Sequence, residues 1–235
     1  MTSPQRTIEV SWFWDWVPAT GADAEERAAW SEYVTGLLDT WAGEKVAAAR
    51  AAWPADATEE FPFTVGEMGP KVAHDLLERT DGLPANCRLI WGAGFLNEQV
   101  RWLPVLVLAE FREPRTGDSS YLMAVVGAEG LDGDVREPKV EYVTTDHGDG
   151  IRVIAMASSA GEGLHGRVNA ALRLEGPPVD VDVLLTTRVA AMDQLAVIGP
   201  GMETLMQMIA GQFGAQPGDG VLPLRFTTVA EPAAS

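Results

Sequence analysis

From residue 87 onward the chain is a succession of short apolar segments parted by turns too brief to hold a crossover. The segments 88–96, 102–112, 121–126, 139–145, 151–157, 167–174 and 181–189 are each rich in Val, Leu, Ile or aromatic residues. Between some of them stand Asp132-Gly133-Asp134, Asp146-His147-Gly148-Asp149-Gly150 and Gly176-Pro177-Pro178, which are turn material. Parallel neighbours need a connection of a dozen or more residues, so this spacing predicts an antiparallel sheet. An antiparallel sheet of this width has to bury one face at least, and the helical segments are the material for it.

Those segments lie before and after the strands. Asp23 can cap a helix, and Glu26 three positions later completes a capping-box pattern. Trp30, Val34, Leu37, Leu38 and Trp41 follow at spacings of three and four, so one apolar stripe runs along a long helix that ends near Ala52, before Trp53-Pro54. A shorter helix is expected from Pro70 to Arg79, stopped by Asp81-Gly82. Late in the chain Pro200 is expected to open a helix over 199–213, with Met202, Leu205, Met206 and Ile209 apolar. A strand-like piece, 221–229, and a disordered tail, 230–235, complete it. The fold class predicted is α+β: an antiparallel sheet of about six to eight strands with a long N-terminal helix and a late C-terminal helix packed on it. The whole, 1–235, reads as a single α+β domain, with a Trp-rich strand and helices over 1–80 and a strand-rich part over 87–229.

All eight tryptophans fall before residue 103, and Trp12, Trp14 and Trp16 occupy alternate positions in one run. In a strand these three indoles share a face. A core position in the middle of the sheet, covered by the Trp30/Trp41 helix, would use all five indoles. The competing expectation is a ligand- or partner-binding face, because Trp is enriched where binding energy concentrates. Met202 and Met206 carry the same choice between core and adaptable binding surface.

The bulk numbers narrow the function classes. The net charge is −17, spread along the chain: ten Lys+Arg and eighteen Asp+Glu up to residue 115, seven and sixteen after it. Such a surface repels phosphate backbones and anionic lipid, so neither nucleic acid nor membrane is an expected partner. Arg outnumbers Lys fourteen to three, which reads as the codon bias of a GC-rich bacterium. The single Cys87 excludes an internal disulfide and suits a reducing cytoplasm. Glu9 and Asp15 interrupt the N-terminal apolar run, unlike a signal peptide, and the stretch 103–109 is far too short to span a bilayer.

Motifs for chemistry are weak. Gly92-Ala-Gly94-Phe-Leu-Asn97 begins like a dinucleotide loop but ends in Asn, and its glycines read better as a bend or a seat for an aromatic ring. His147 between Asp146 and Asp149, and the Asp132/Asp134 pair, have a metal-like look but fit hairpin turns. Cys87 has no sequence signal pairing it with His74 or His165. Glu110 and Glu141 alternate with apolar neighbours as wet-face residues do. No cofactor and no metal is expected.

Three successive strand segments and a helix over 139–213 carry one resemblance. Ile151-Arg-Val-Ile-Ala-Met, Val168-Asn-Ala-Ala-Leu-Arg-Leu, Val181-Asp-Val-Leu-Leu-Thr-Thr and Met202-Glu-Thr-Leu-Met-Gln-Met-Ile are similar in order and length to the C-terminal half of Mog1/PsbP-like domains. The resemblance covers about a third of the chain and carries no catalytic residue, since such domains are mostly binding or assembly modules. The function expected is therefore non-catalytic binding or assembly in a bacterial cytoplasm, through a protein partner or self-association. The alternative is a small-molecule binding protein or enzyme with a Trp-lined pocket.

Overall fold

A computed structural model describes residues 10–62, 66, 68–96, 101–115, 120–161, 163–176 and 180–213. The expected strand 221–229, the tail 230–235, Phe63 and Asn97 lie outside them. The chain divides into two compact units, one made of the residues up to Asp15 with those from Pro84 on, the other of Trp16–Leu83.

The larger unit is the sheet. Its strands are β1 (Val10–Trp16), β2 (Cys87–Leu96), β3 (Arg101–Arg112), β4 (Lys139–Thr145), β5 (Gly148–Ser159), β6 (Gly163–Leu174) and β7 (Val181–Val189). They lie in the order β1-β2-β3-β7-β6-β5-β4. Two meanders are thus joined: β1-β2-β3, and β4 to β7 returning from the far edge to lie against β3. The β2–β3, β3–β7, β7–β6, β6–β5 and β5–β4 pairs are all antiparallel. Short connections leave this as the outcome, as the turn clusters predicted.

Residues 121–126 are a correction. The segment forms a helix, α3 (Ser120–Val126), on the route from β3 to β4. Its Tyr, Leu and Val content favours a strand locally, yet Tyr121, Leu122 and Val126 bury one helical face against Ile151, Val153, Ala171 and Leu184 of the sheet. Tertiary burial overrides the weak propensity of a seven-residue piece.

The opposite face of the sheet carries α4 (Leu195–Phe213). This helix starts four residues earlier than 199, after a 3-10 turn at Met192–Gln194, and Pro200 lies inside it instead of opening it. Ile198, Met202, Leu205, Met206 and Ile209 are buried along its sheet-facing side. The side chain of Ile154 passes Gly199, and Met206 Cε and Leu172 lie over Gly150, so the helix sits close on β5 and β6.

The smaller unit is a helical pair, α1 (Ala24–Ala51) and α2 (Met68–Thr80). Asp23 accepts a hydrogen bond from the Glu26 amide at 2.7 Å, the cap expected from the sequence. The helices run antiparallel: the Gly69 amide donates to Asp39 at 3.2 Å, while Arg27 reaches the Leu77 carbonyl at 3.4 Å and Asp81 at 3.5 Å. Val34 and Leu38 are the buried positions of the α1 stripe. No helix among the described residues is long and apolar enough to cross a membrane.

Candidate functional site

The tryptophan strand is not central. Among the described residues β1 is the outermost strand of the sheet, beside β2. Trp12 and Trp14 stack with ring centroids 5.1 Å apart and planes 7° from parallel, because alternate residues of a strand project from one face. Their seat is glycine. A Cβ at Gly94 would collide with the Trp12 ring, and one at Gly92 with Trp14, so both indoles lie across β2 where it has no side chains. This is the role the sequence suggested for that glycine pair.

Their cover is α4. Gly201 of α4 meets the Trp12 ring, where a Cβ would overlap it, and Trp14 Nε1 donates to Thr204 Oγ1 at 2.9 Å. The contacts of Gly201 and Thr204 place α4 on this face of the sheet. Trp12 and Trp14 remain half-buried; Trp16, also half-buried, begins the other unit. Met202 and Met206, by contrast, have no exposed surface and fill the interior beneath α4.

The other face of the same strands is also aromatic and apolar. Phe13 packs on Trp91 at 5.1 Å between centroids, tilted by 56°. Trp91 stands opposite Leu106 and Leu89 opposite Leu108 across the β2–β3 ladder. Leu106 and Leu108 are each 36% exposed although β3 is an inner strand. The β1–β3 end of the sheet thus presents large apolar groups on both sides.

The remaining candidates take structural places. The thiol of Cys87 is buried, and burial followed by the nearby Glu110 carboxylate pushes its pKa up, opposite to the shift that activates a nucleophile. Glu110 pairs with Arg112 at 2.8 Å, and Glu141 with Arg152 at 2.6 Å and Lys139 at 2.8 Å. Their strands are separated by β7, β6 and β5, so the two carboxylates form no pair. His147 lies in the two-residue turn between Thr145 and Gly148, its ring edge-on to Phe213 at 6.4 Å. His165 lies on β6, and exposed His74 lies 3.3 Å from Glu78. Among the described residues no three His, Cys, Asp or Glu side chains converge as a metal site would require.

Sequence reasoning missed the buried charges under α3. Asp134 grips Arg167 at 2.7 Å, with both side chains less than a tenth exposed. Arg167 Nη1 and Asn169 Nδ2 also donate to the Val126 carbonyl at the end of α3. Asp182, with no exposed surface, accepts two bonds from Arg173 at 2.8 and 2.9 Å and one from the Tyr121 hydroxyl. Burial, then the Asp182 carboxylate, holds the Tyr121 pKa above its ordinary value. An open depression of about 360 Å³ lies elsewhere, lined by Arg136, Glu137, Pro138, Lys139, Ile154, Ala155 and Leu195. It contains none of the tryptophans.

These features define an α+β protein with a seven-stranded antiparallel sheet and an aromatic end. The chain matches no known family, no curated protein and no solved structure.

Proposed function

We propose that this protein acts by binding, as a non-catalytic assembly or adaptor component of a bacterial cytoplasm, and that the aromatic end of its sheet is the docking surface. The observation that carries the reading is the Trp12–Trp14 stack: two parallel indoles on an outer strand, half-buried and held in place by Gly92, Gly94 and the Thr204 hydroxyl. Indoles fixed in this way lose little conformational entropy when a partner covers them, and each brings a large contact area. Leu106 and Leu108 extend apolar surface over the reverse side of the same strands.

The test compares the native chain with Trp12→Ala and Trp14→Ala in cross-linking and capture from the native lysate. A binding hot spot loses about 2 kcal/mol or more on truncation to Ala, roughly a thirtyfold weakening. A species held by the native chain and released by both folded variants supports the proposal. Undiminished capture by both variants overturns it.

A further inference from the structure

Among the described residues the sheet ends on β4 at the side opposite β1, and this edge has features of its own. β4 reads Lys139-Val140-Glu141-Tyr142-Val143-Thr144-Thr145, and its middle residue, Tyr142, is 77% exposed. An outer strand is a template for a further strand unless proline, bulges, charge or a covering segment prevents it. β4 contains no proline, and its ladder with β5 runs without a bulge from Lys139 to Thr145. Its only cation, Lys139, is drawn back onto Glu141. The Thr144 carbonyl accepts a bond from Gln207 Nε2 at 2.9 Å. Backbone groups of an antiparallel strand face its two neighbours alternately. The Gln207 bond therefore marks Val140, Tyr142 and Thr144 as the residues whose amides turn away from β5.

We propose that β4 is a homotypic docking edge: two copies of the chain pair their β4 strands antiparallel about a two-fold axis through Tyr142, joining their sheets into one. This axis is the one position that pairs all seven residues of the strand with a partner. It sets Tyr142 against Tyr142, Val140 against Thr144, Glu141 against Val143 and Lys139 against Thr145. No like charges stand directly opposite, an aromatic pair lies at the centre, and the outward amides of 140, 142 and 144 find partners. A second copy fits better than an unrelated strand because β4 is complementary to itself. The charge of −17 on each copy opposes association at long range, and salt screens it. Gln207 competes for the Thr144 carbonyl. The proposal is independent of the aromatic end, which lies at the other side of the sheet.

Sedimentation velocity on the full chain, over rising protein concentration and ionic strength, should show a monomer–dimer equilibrium whose dimer share grows with salt. Tyr142→Lys should leave a monomer under all those conditions with an unchanged thermal midpoint, and Gln207→Ala should increase the dimer. Tyr142→Cys supplies the register test. Directly opposed hydrogen-bonded residues have Cα atoms about 5.5 Å apart, within disulfide reach. Mild oxidation should therefore give a covalent dimer, with buried Cys87 silent. In Thr144→Cys the two sulfur-bearing positions are offset along the strands by about 14 Å, and no cross-link should form. A native chain that stays monomeric at high concentration and high salt overturns the proposal. So does a dimer that survives Tyr142→Lys, or one cross-linked as readily through position 144 as through 142.

Discussion

Under α4 the sheet offers hydrocarbon apart from the buried Arg152, which donates to the Gly199 carbonyl and Glu203 of the helix, and the helix returns Met202, Leu205 and Met206, none with any exposed surface. Under α3 the same strands offer Arg167, Asn169, Arg173 and Asp182, every one less than a fifth exposed by its side chain or residue. Helix length accounts for the difference. α4 has nineteen residues and brings a full apolar side to the sheet, whereas α3 has seven and buries three. What α3 leaves uncovered is closed by ion pairs that tie strand to strand and loop to strand. An apolar face loses stability in proportion to the atoms removed. A buried ionic face behaves differently, because removing one partner leaves the other charged and unsolvated.

The largest expected effect tests that contrast directly. Asp182→Ala strands Arg173 and takes the acceptor from Tyr121, and should cost about 3–5 kcal/mol in chemical denaturation. Replacing both partners, as Asp182→Leu with Arg173→Met, should recover most of that loss, since a matched apolar pair is often neutral. On the other face Leu205→Ala should cost about 3 kcal/mol, with no second substitution required to explain it. If the double variant is no more stable than Asp182→Ala, the contrast between the faces fails.

Acid titration gives a smaller effect. The Lys139 ammonium first, and then the Arg152 guanidinium, hold the Glu141 carboxyl below the usual range despite partial burial. A carboxylate with a lowered folded pKa contributes stability above its unfolded value, about 4.3, and loses it as pH falls through the folded value. The deficit of Glu141→Gln relative to the native chain should therefore be constant near neutrality and shrink below about pH 4. Denaturation midpoints measured across that range check it. The smallest change lies outside both faces: Asp23→Ala removes the cap of α1 and should cost about 1 kcal/mol, read from loss of helical circular dichroism on heating.

Much of the architecture could be read from alternation and turn chemistry. The strands 139–145 and 181–189 have the expected bounds, and Asp23 caps the helix it was expected to cap. These signals are local, carried within a few residues. Where burial is decided at a distance, the signal disappears. Tyr121–Val126 looks like a strand until the sheet below it is known. Arg167 and Asp134 stand 33 residues apart with nothing local to join them. The tryptophan run showed its shared face in the sequence, but not its outer place in the sheet or its cover. Gly92 and Gly94 were the readable half of that site, because a strand interior rarely carries two alternate glycines without a reason. Gly201 was the half hidden in a helix.

That hidden half constrains how the chain can diverge. Position 201 has no room for a methyl group while an indole occupies position 12, and the indole has no seat if position 94 acquires a side chain. Three positions scattered over 190 residues of chain therefore share one volume. A side chain gained at 94 or 201 alone should destabilise the chain, and the changes it tolerates there should come in compensating sets. Descendants of this sequence with alanine at 201 or 94 should carry a smaller residue at 12, and that covariation would persist after most other similarity has been lost.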